Sequence, residues 1–324
     1  MAEWIYEAGI GEARAALIEH GTILEAAIEP DDEGPRLGAV LPARLEAMIP
    51  AGGIVTAEDG TELLLSPLPA GPSIGATTLV EVTRAAIAER GRAKRALARA
   101  ADPGAKPAAG PDLLARIQTS GASIRHLRAH EPDLLEAAGW SELLDEATRG
   151  EIDFPGGSLR LSLTPAMTLF DVDGTLAADE LAIAGAIAAG RAIRRMGIGG
   201  SIGIDLPAAP ERAGRLAAAA ALDAVLPPPF ERTAINGFGF LQLIRRRSRA
   251  SLPELIAADP AAAEARALLR RIERSQPPHP VDWPASPQVL AAFARRPDWL
   301  TEAARRTGRP ITLAPAKMIG ENAP

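Results

Sequence analysis

Two aspartates, each at the end of a short apolar run, could together bind a divalent cation. Asp171 directly follows the run MTLF, and Asp205 directly follows the run SIGI. Both runs have the length and composition of buried β-strands. If these strands lie side by side in parallel, their carboxyl ends are about 5 Å apart. Both carboxylates would then face one crevice at the sheet edge, where α/β proteins usually bind their ligands.

The residue types around this pair limit which ion it could bind. Two carboxylates this close repel each other unless a proton or a cation intervenes. The chain has no cysteine, and its four histidines are scattered, so only oxygen ligands are at hand. We therefore expect Mg²⁺, with Mn²⁺ as the alternative and no zinc. Such an ion could activate water against a phosphodiester, although strand-terminal aspartates also serve as caps and turn formers.

The segment around the two aspartates predicts a strand–helix–strand unit. Strand-like runs occupy residues 158–163 and 167–172, and apolar residues then recur at helical spacing over about 180–196. A glycine-rich turn, MGIGG, leads into the strand SIGID. The simplest connection of two such strands is a right-handed parallel crossover. An alanine-rich helix at 209–226 and a strand within 231–244 are expected to follow.

The remainder of the chain divides by composition. Short apolar runs broken by turn signals fill residues 10–100 and predict a small barrel of the OB type. We predict a mixed α/β (α+β) fold with five parts. The first three are N-terminal strands that pack with the catalytic part (1–35), an OB-type barrel (36–100) and a Pro/Gly/Ala linker (101–111). An α/β catalytic domain (112–250), helical over its first part (112–149), and a helical C-terminal region (251–324) follow.

The distribution of charged residues indicates whether the protein binds nucleic acid and where in the cell it is located. A net charge of −6 argues against binding of nucleic acid by the overall field. Locally, positive charge is concentrated in two segments, which are either phosphate-binding or simply solvated. They contain Arg92, Lys94 and Arg95, and Arg245, Arg246, Arg247 and Arg249. The acidic N-terminus lacks signal-peptide features, and the apolar runs are too short to cross a membrane, so a cytoplasmic location without membrane contact is expected.

The string FDVDGTL resembles the first motif of haloacid-dehalogenase-type phosphatases. In that hypothesis Asp171 is the nucleophile, Asp173 the general acid and Thr175 a positioning residue. The family also needs a downstream lysine and a later acidic pair. Between residues 176 and 316 the chain has no lysine and neither an Asp-Asp nor a Gly-Asp pair.

From residue 151 onward the chain resembles the catalytic region of ribonucleases E and G in three ordered pieces. These are EIDFPGGSLRLSLTPAMTLFDVD, then the helix with MGIGGSIGID, then GFGFLQLIRRRSRASL. More weakly, GEARAALIEHGTILEAAIE is similar to the family's opening strands, and residues 36–98 are similar to its inserted OB-type barrel. The chain is therefore identified as a shortened member of the ribonuclease E/G family.

This resemblance implies a magnesium-dependent endoribonuclease that cleaves single-stranded RNA. Asp171 and Asp205 would be the magnesium ligands, and Asp173 takes the place of an asparagine that holds the first carboxylate. Lys94 stands where the family has an RNA-contacting lysine, with Arg92 and Arg95 beside it. The run Arg245, Arg246, Arg247 and Arg249 would hold the RNA beside the metal site.

Departures from the family pattern favour a second hypothesis, a non-catalytic RNA-binding relative. The stretch that reads a 5′-monophosphate is missing, and residues 118–120 do not replace it. Aliphatic residues near Ile54 and Leu64 stand where aromatics would stack on RNA bases. The zinc-binding cysteines that link protomers are also absent, so a homo-oligomer would have to form without zinc.

Overall fold

The computed structural model describes residues 1–31, 34–87, 94–207 and 211–316. The strands are β1 (Glu3–Ala8), β2 (Glu12–Glu19), β3 (Thr22–Pro30), β4 (Val40–Ile49), β5 (Gly52–Ala57), β6 (Glu62–Leu65), β7 (Thr77–Arg84), β8 (Ala96–Ala100), β9 (Ser123–His126), β10 (Glu151–Phe154), β11 (Gly157–Leu163), β12 (Thr168–Gly174), β13 (Gly200–Asp205), β14 (Phe230–Arg232), β15 (Phe240–Arg245), β16 (Trp283–Ala285) and β17 (Leu313–Pro315). The helices are α1 (Leu113–Gln118), α2 (Leu134–Ala137), α3 (Trp140–Arg149), α4 (Ala178–Arg195), α5 (Arg212–Val225), α6 (Leu252–Ala258), α7 (Pro260–Arg274), α8 (Pro287–Arg295) and α9 (Pro297–Thr307).

The expected mixed α+β class with a small closed barrel is confirmed. Strands β4 to β8 close into a five-stranded barrel in the order β4-β5-β6-β8-β7. Its interior is aliphatic, because alternate strand positions point inward and carry residues such as Leu45, Val55, Leu63 and Val80, all fully buried. None of the helices in the described ranges is long and apolar enough to span a bilayer.

A second, six-stranded sheet carries both candidate aspartates. Its order is β10-β11-β12-β13-β15-β14. Only β12 and β13 pair in parallel; the other neighbours are antiparallel. Helix α4 connects the two parallel strands, so the predicted strand–helix–strand unit is confirmed. Helix α5 packs against α4 and occupies most of the predicted segment 209–226.

Helix α4 packs closely against its neighbours because it is rich in alanine and glycine. A Cβ atom at Gly185 would lie 2.5 Å from a methyl carbon of Val172 in β12, and one at Gly190 would lie 2.7 Å from Val225 in α5. The same core includes Ile23 of β3, so the N-terminal sheet and the six-stranded sheet share one interior. Such contacts are possible only where the helix has no side chain.

Two expected helical regions also contain strands. Residues 123–126 form β9, which pairs in parallel with β1 at the edge of the N-terminal sheet β3-β2-β1-β9. In the C-terminal region, β16 and β17 form a two-stranded parallel sheet beside the helices. These three strands are only three or four residues long, and a periodic sequence pattern cannot reveal strands that short.

Buried ion pairs join the N-terminal sheet to the C-terminal helices. The carboxylate of Glu12, only 3% exposed, contacts Arg266 and Arg270 of α7. A second group is centred on Arg14, which donates to Glu7 at 2.5 Å and to Asp133 at 2.8 Å. The remaining member of this network is Arg274, which pairs with both Glu7 and Asp133.

The arginines of this network favour the charged form of Asp133 although its side chain is partly buried. Burial acts to raise the pKa of Asp133, but the charge of Arg14 and its hydrogen bond outweigh this effect and hold the pKa below its usual value. Removing one partner of such a pair leaves an uncompensated buried charge, which costs much more than the intact pair contributes.

We expect Glu12→Gln to lower the free energy of unfolding by about 3–5 kcal/mol, because the ion pairs of Arg266 and Arg270 with Glu12 would be lost while both guanidinium groups stay charged in the interior. Urea denaturation followed by circular dichroism measures this change. The matched control is Glu302→Gln, since Glu302 also pairs with two arginines, Arg305 and Arg306, but at the surface. Equal denaturation midpoints for the two variants would contradict the prediction.

Candidate functional site

Asp171 and Asp205 lie directly opposite each other on the parallel strands β12 and β13. On each strand the alternate residues, such as Phe170 and Ile204, are buried in the core, while the two aspartates are exposed. Residues in register on adjacent strands project from the same face, at a strand spacing of about 4.8 Å. The structure therefore brings the two predicted carboxylates together on the exposed face of the sheet, which we call the open face.

The pair belongs to a row that crosses the open face at one register level. Arg160 of β11 lies opposite Asp171, and Glu151 of β10 lies opposite Arg160. On the other side, Phe240 of β15 lies opposite Asp205. A Cβ atom at Gly203 would lie 2.6 Å from the Phe240 ring, so the glycine allows this ring to lie across β13 beside Asp205.

Asp173 lies on the same face, two residues further along β12 and outside the paired stretch of β13. It faces Ser158 of β11, which in turn faces Asp153 of β10. The open face of strands β10 to β13 thus carries a single arginine, Arg160, against five carboxylates. These are Glu151, Asp153, Asp171, Asp173 and Asp205.

This donor set fits a magnesium ion that keeps most of its water. Mg²⁺ is typically held by one or two protein carboxylates and retains several water ligands. Asp171 and Asp205 supply two hard oxygen donors in register. Within the described ranges, no group of three or more Asp, Glu, His or Cys side chains is arranged to hold a metal. Water would therefore have to complete the coordination.

The arginine run at the end of β15 lies far from the carboxylate pair. Arg245 is opposite Gly200, at the start of β13, whereas Asp205 is at its end. Five residues of extended strand separate the two levels by about 17 Å. The expectation that this run lies beside the metal site is wrong, because β15 is antiparallel to β13 and carries its arginines away. Its binding of RNA stays a prediction.

The arginines of this run have different surroundings. Arg245 is half-buried; burial lowers the pKa of its guanidinium, while the charge of Glu25 opposes that effect. Arg247 pairs with Glu254 at the start of α6. Arg246 and Arg249 are exposed. Only part of the run therefore has the exposure that contact with RNA requires.

Arg84 and Ala85, at the end of β7, contact both predicted basic segments. The N–H of Ala85, just after β7 of the barrel, donates to the carbonyl oxygen of Ser248 at 3.0 Å. Next to it, Arg84 donates to the carbonyl oxygen of Arg95 at 2.9 Å. We call the surface formed by Arg84, Lys94, Arg95 and residues 245–249 the basic seam.

The barrel residues of the basic seam already form contacts within the protein. The Nε of Arg95 donates to Glu62 at 2.7 Å. Lys94 is half-buried, and its backbone forms a bridge with Ile87. Arg92 lies outside the described residues. No local sequence pattern distinguishes Arg84, because its position between the two basic segments depends on contacts between distant parts of the chain.

Arg160 was also missed, although the sequence contained a signal for it. In the run SLRLSL, Arg160 alternates with Leu159 and Leu161, which are buried. This alternation alone predicts that the arginine faces outward. That it stands next to Asp171 follows from the pairing of β11 with β12.

A cleft elsewhere on the molecule does not overlap this site. It has a volume of about 300 Å³, lies between the N-terminal sheet and the C-terminal helices, and is lined by residues that include Tyr6, Glu29 and Trp299. None of the residues on its walls belongs to the open face. Among the described residues, the candidate site is an exposed sheet face, because Asp171, Asp173 and Asp205 are all exposed there.

The chain matches no protein-family model and no curated protein. The likeness to ribonucleases E and G therefore stays a prediction from the three sequence pieces.

We expect Asp171→Asn and Asp205→Asn each to weaken Mn²⁺ binding by about tenfold or more, because each removes one charged oxygen ligand. Electron paramagnetic resonance of free Mn²⁺ measures the affinity. Asp153→Asn is the matched control, since Asp153 is an open-face carboxylate on β10, two strands away from Asp171. Equal losses in all three variants would show diffuse attraction to an acidic face instead of a site.

Proposed function

We propose that this chain is a magnesium-dependent endoribonuclease of the ribonuclease E/G type that cleaves single-stranded RNA. The observation that carries the proposal is the register of Asp171 with Asp205 on the open face. The ordered resemblance of three sequence pieces supports it, since Asp171 lies in the first piece and Asp205 ends the second. An OB-type assignment of the five-stranded barrel, as an RNA-binding module, belongs to the same proposal.

In the proposed reaction, Asp171 and Asp205 would hold the magnesium ion through one carboxylate each. When bound, the ion would supply Lewis acidity and a water of lowered pKa for attack on a phosphodiester. Asp173 adds a third negative charge on the same face, two residues after Asp171 on β12. This charge strengthens the attraction of the site for a cation. Strands β12 and β13 carry no carboxylate besides these three.

Arg160 would bind the phosphate that is to be cleaved. Its side chain is exposed beside Asp171, and in the described part of the structure it forms no ion pair with Glu151 or Asp171, the acids on either side of it. A guanidinium can donate two parallel hydrogen bonds to phosphate oxygens. It would therefore orient the phosphodiester and balance the charge that develops during attack.

The open site and the distant basic seam together favour a polymeric substrate. An RNA strand bound at the basic seam would reach the carboxylate pair only by extending over at least about 17 Å of sheet. Contacts from arginine and lysine to phosphates would supply affinity without sequence preference. A single strand fits this path because it can follow the surface.

A non-catalytic RNA-binding protein is the second candidate, and one observation favours it. Residues 36–100, which include the whole barrel, contain no Phe, Trp or Tyr. The barrel therefore cannot stack on bases, and its contribution to RNA binding would be electrostatic. A phosphatase acting through Asp171 and Asp173 is the remaining hypothesis from the sequence.

We expect wild-type protein to cleave a 5′-labelled single-stranded RNA in magnesium, and Asp171→Asn to lower the rate by about 100-fold or more, because the metal site loses a ligand. Gel electrophoresis of the labelled products measures the rate, and Asp153→Asn should cleave normally. RNA binding without cleavage by wild type would favour the non-catalytic candidate. Turnover of p-nitrophenyl phosphate that depends on Asp171 would favour the phosphatase.

We expect Arg160→Gln to lower the cleavage rate by about 10- to 100-fold, which corresponds to the loss of a charge-assisted hydrogen bond. Arg160→Lys should recover part of the rate, because it restores the charge without the fork geometry. Mn²⁺ affinity, measured in parallel, should stay equal or increase, since a neighbouring positive charge is removed. A loss of Mn²⁺ binding in Arg160→Gln would instead indicate a structural role.

A further inference from the structure

Aromatic side chains are few in this protein, and one of them is left in solvent. The chain has four Trp, one Tyr and six Phe, and all of them lie in the described ranges. Ten are buried or half-buried, whereas Phe238 is 85% exposed. A lone exposed apolar residue is common in proteins, so its position and its support decide whether it has a role.

The loop that presents Phe238 is held by hydrogen bonds. The side-chain oxygen of Asn236 accepts from the backbone N–H of Phe238 at 2.9 Å and of Phe240 at 3.1 Å. The N–H of Gly239 donates to the carbonyl oxygen of Asn236 at 3.1 Å, and Gly239 has a φ of +90°. A side chain at position 239 would strain this turn. Phe238 is therefore exposed on an ordered turn.

The same turn lies beside the carboxylate pair. The N–H of Leu206 donates to the carbonyl oxygen of Gly239 at 3.2 Å, which ties the turn to the residue after Asp205. Phe240, two residues beyond Phe238, is opposite Asp205 in the sheet. The exposed ring is therefore next to the site where the proposed reaction would occur, on the side opposite Arg160.

The charges around the pair limit what could cover this ring. The five carboxylates of the open face repel acidic peptides, and they repel phosphates unless a bound cation intervenes. A nucleobase brings a flat, uncharged surface, and its stacking on an aromatic ring does not depend on base identity. The barrel has no Phe, Tyr or Trp for this purpose, and in the described ranges Phe238 is the one exposed residue of these three types.

We infer that Phe238 stacks on a base of single-stranded RNA next to the phosphodiester held at Asp171 and Asp205. The substrate then crosses the strands of the sheet, with Arg160 and Phe238 on opposite sides of the carboxylate pair. This inference rests on the proposed function, because it takes the carboxylate pair as the reaction centre. The recognised group is a nucleobase of any identity, and purines, which are larger than pyrimidines, should stack best.

The test measures binding, so that it does not depend on cleavage. All variants carry Asp171→Asn, which keeps the RNA intact, and fluorescence anisotropy of a labelled single-stranded RNA in magnesium gives the dissociation constant. We expect Phe238→Ala to raise it by about tenfold, as for the loss of one stacked base, and Phe238→Trp to leave it equal or lower it. Ile244→Ala is the control, since Ile244 is also exposed, 58%, at the other end of the strand that follows the turn.

A second measurement locates the stacked base. This measurement uses a series of RNAs in which a single abasic site is moved along the strand. The parent protein, which carries only Asp171→Asn, should bind more weakly when the abasic site is at one particular position. Phe238→Ala should remove this dependence on the position of the abasic site. Equal affinities for Phe238→Ala, Ile244→Ala and the parent overturn the inference. A change in oligomeric state on light scattering, without a change in RNA affinity, also overturns it and assigns the ring to a second copy of the chain. Failure of the proposed function would appear separately, as the absence of cleavage that depends on Asp171.

Discussion

The arrangement of the candidate site depends on how closely helix α4 packs against the sheet that it crosses. This helix joins β12 to β13, so its position decides whether the two strands become neighbours. Gly185 allows the helix backbone to approach Val172, and Gly190 allows α5 to cover its other side. The N-terminal sheet packs against α4 as well, through residues such as Ile23. Held on several sides, α4 leaves the two strands in one parallel register, and that register places Asp171 opposite Asp205.

The buried charges provide a second constraint, on the assembly of distant parts of the chain. Glu12 of β2 is matched by Arg266 and Arg270 of α7, although more than 250 residues separate them. Buried ion pairs contribute little net stability, because desolvation offsets their attraction. Their larger effect is on wrong arrangements, since any other docking of the C-terminal helices would leave Glu12 or the arginines unpaired in the interior.

Charge is separated across the molecule in a way that matches the proposed chemistry. The open face is acidic, with Arg160 as the only arginine among strands β10 to β13, whereas the basic seam is formed where the barrel contacts residues 245–249. An acidic face attracts a cation and repels RNA until that cation is bound. A basic surface some distance away can hold the RNA meanwhile. The overall charge of −6 is thus compatible with a nucleic-acid substrate, because the local distribution decides binding.

Local patterns in the sequence were sufficient to predict the elements around the site and to single out the two aspartates. Alternation and helical spacing predicted β12, α4 and β13, because each pattern reflects one buried face of one element. They could not predict β9, a four-residue edge strand that forms only because β1 offers it a partner. Nor could they place Arg245 at the far end of β13, Arg160 beside Asp171, or Phe238 beside Asp205. Those positions are set by strand order and direction, which arise from packing between residues far apart in the chain, and such contacts leave no periodic trace in the sequence.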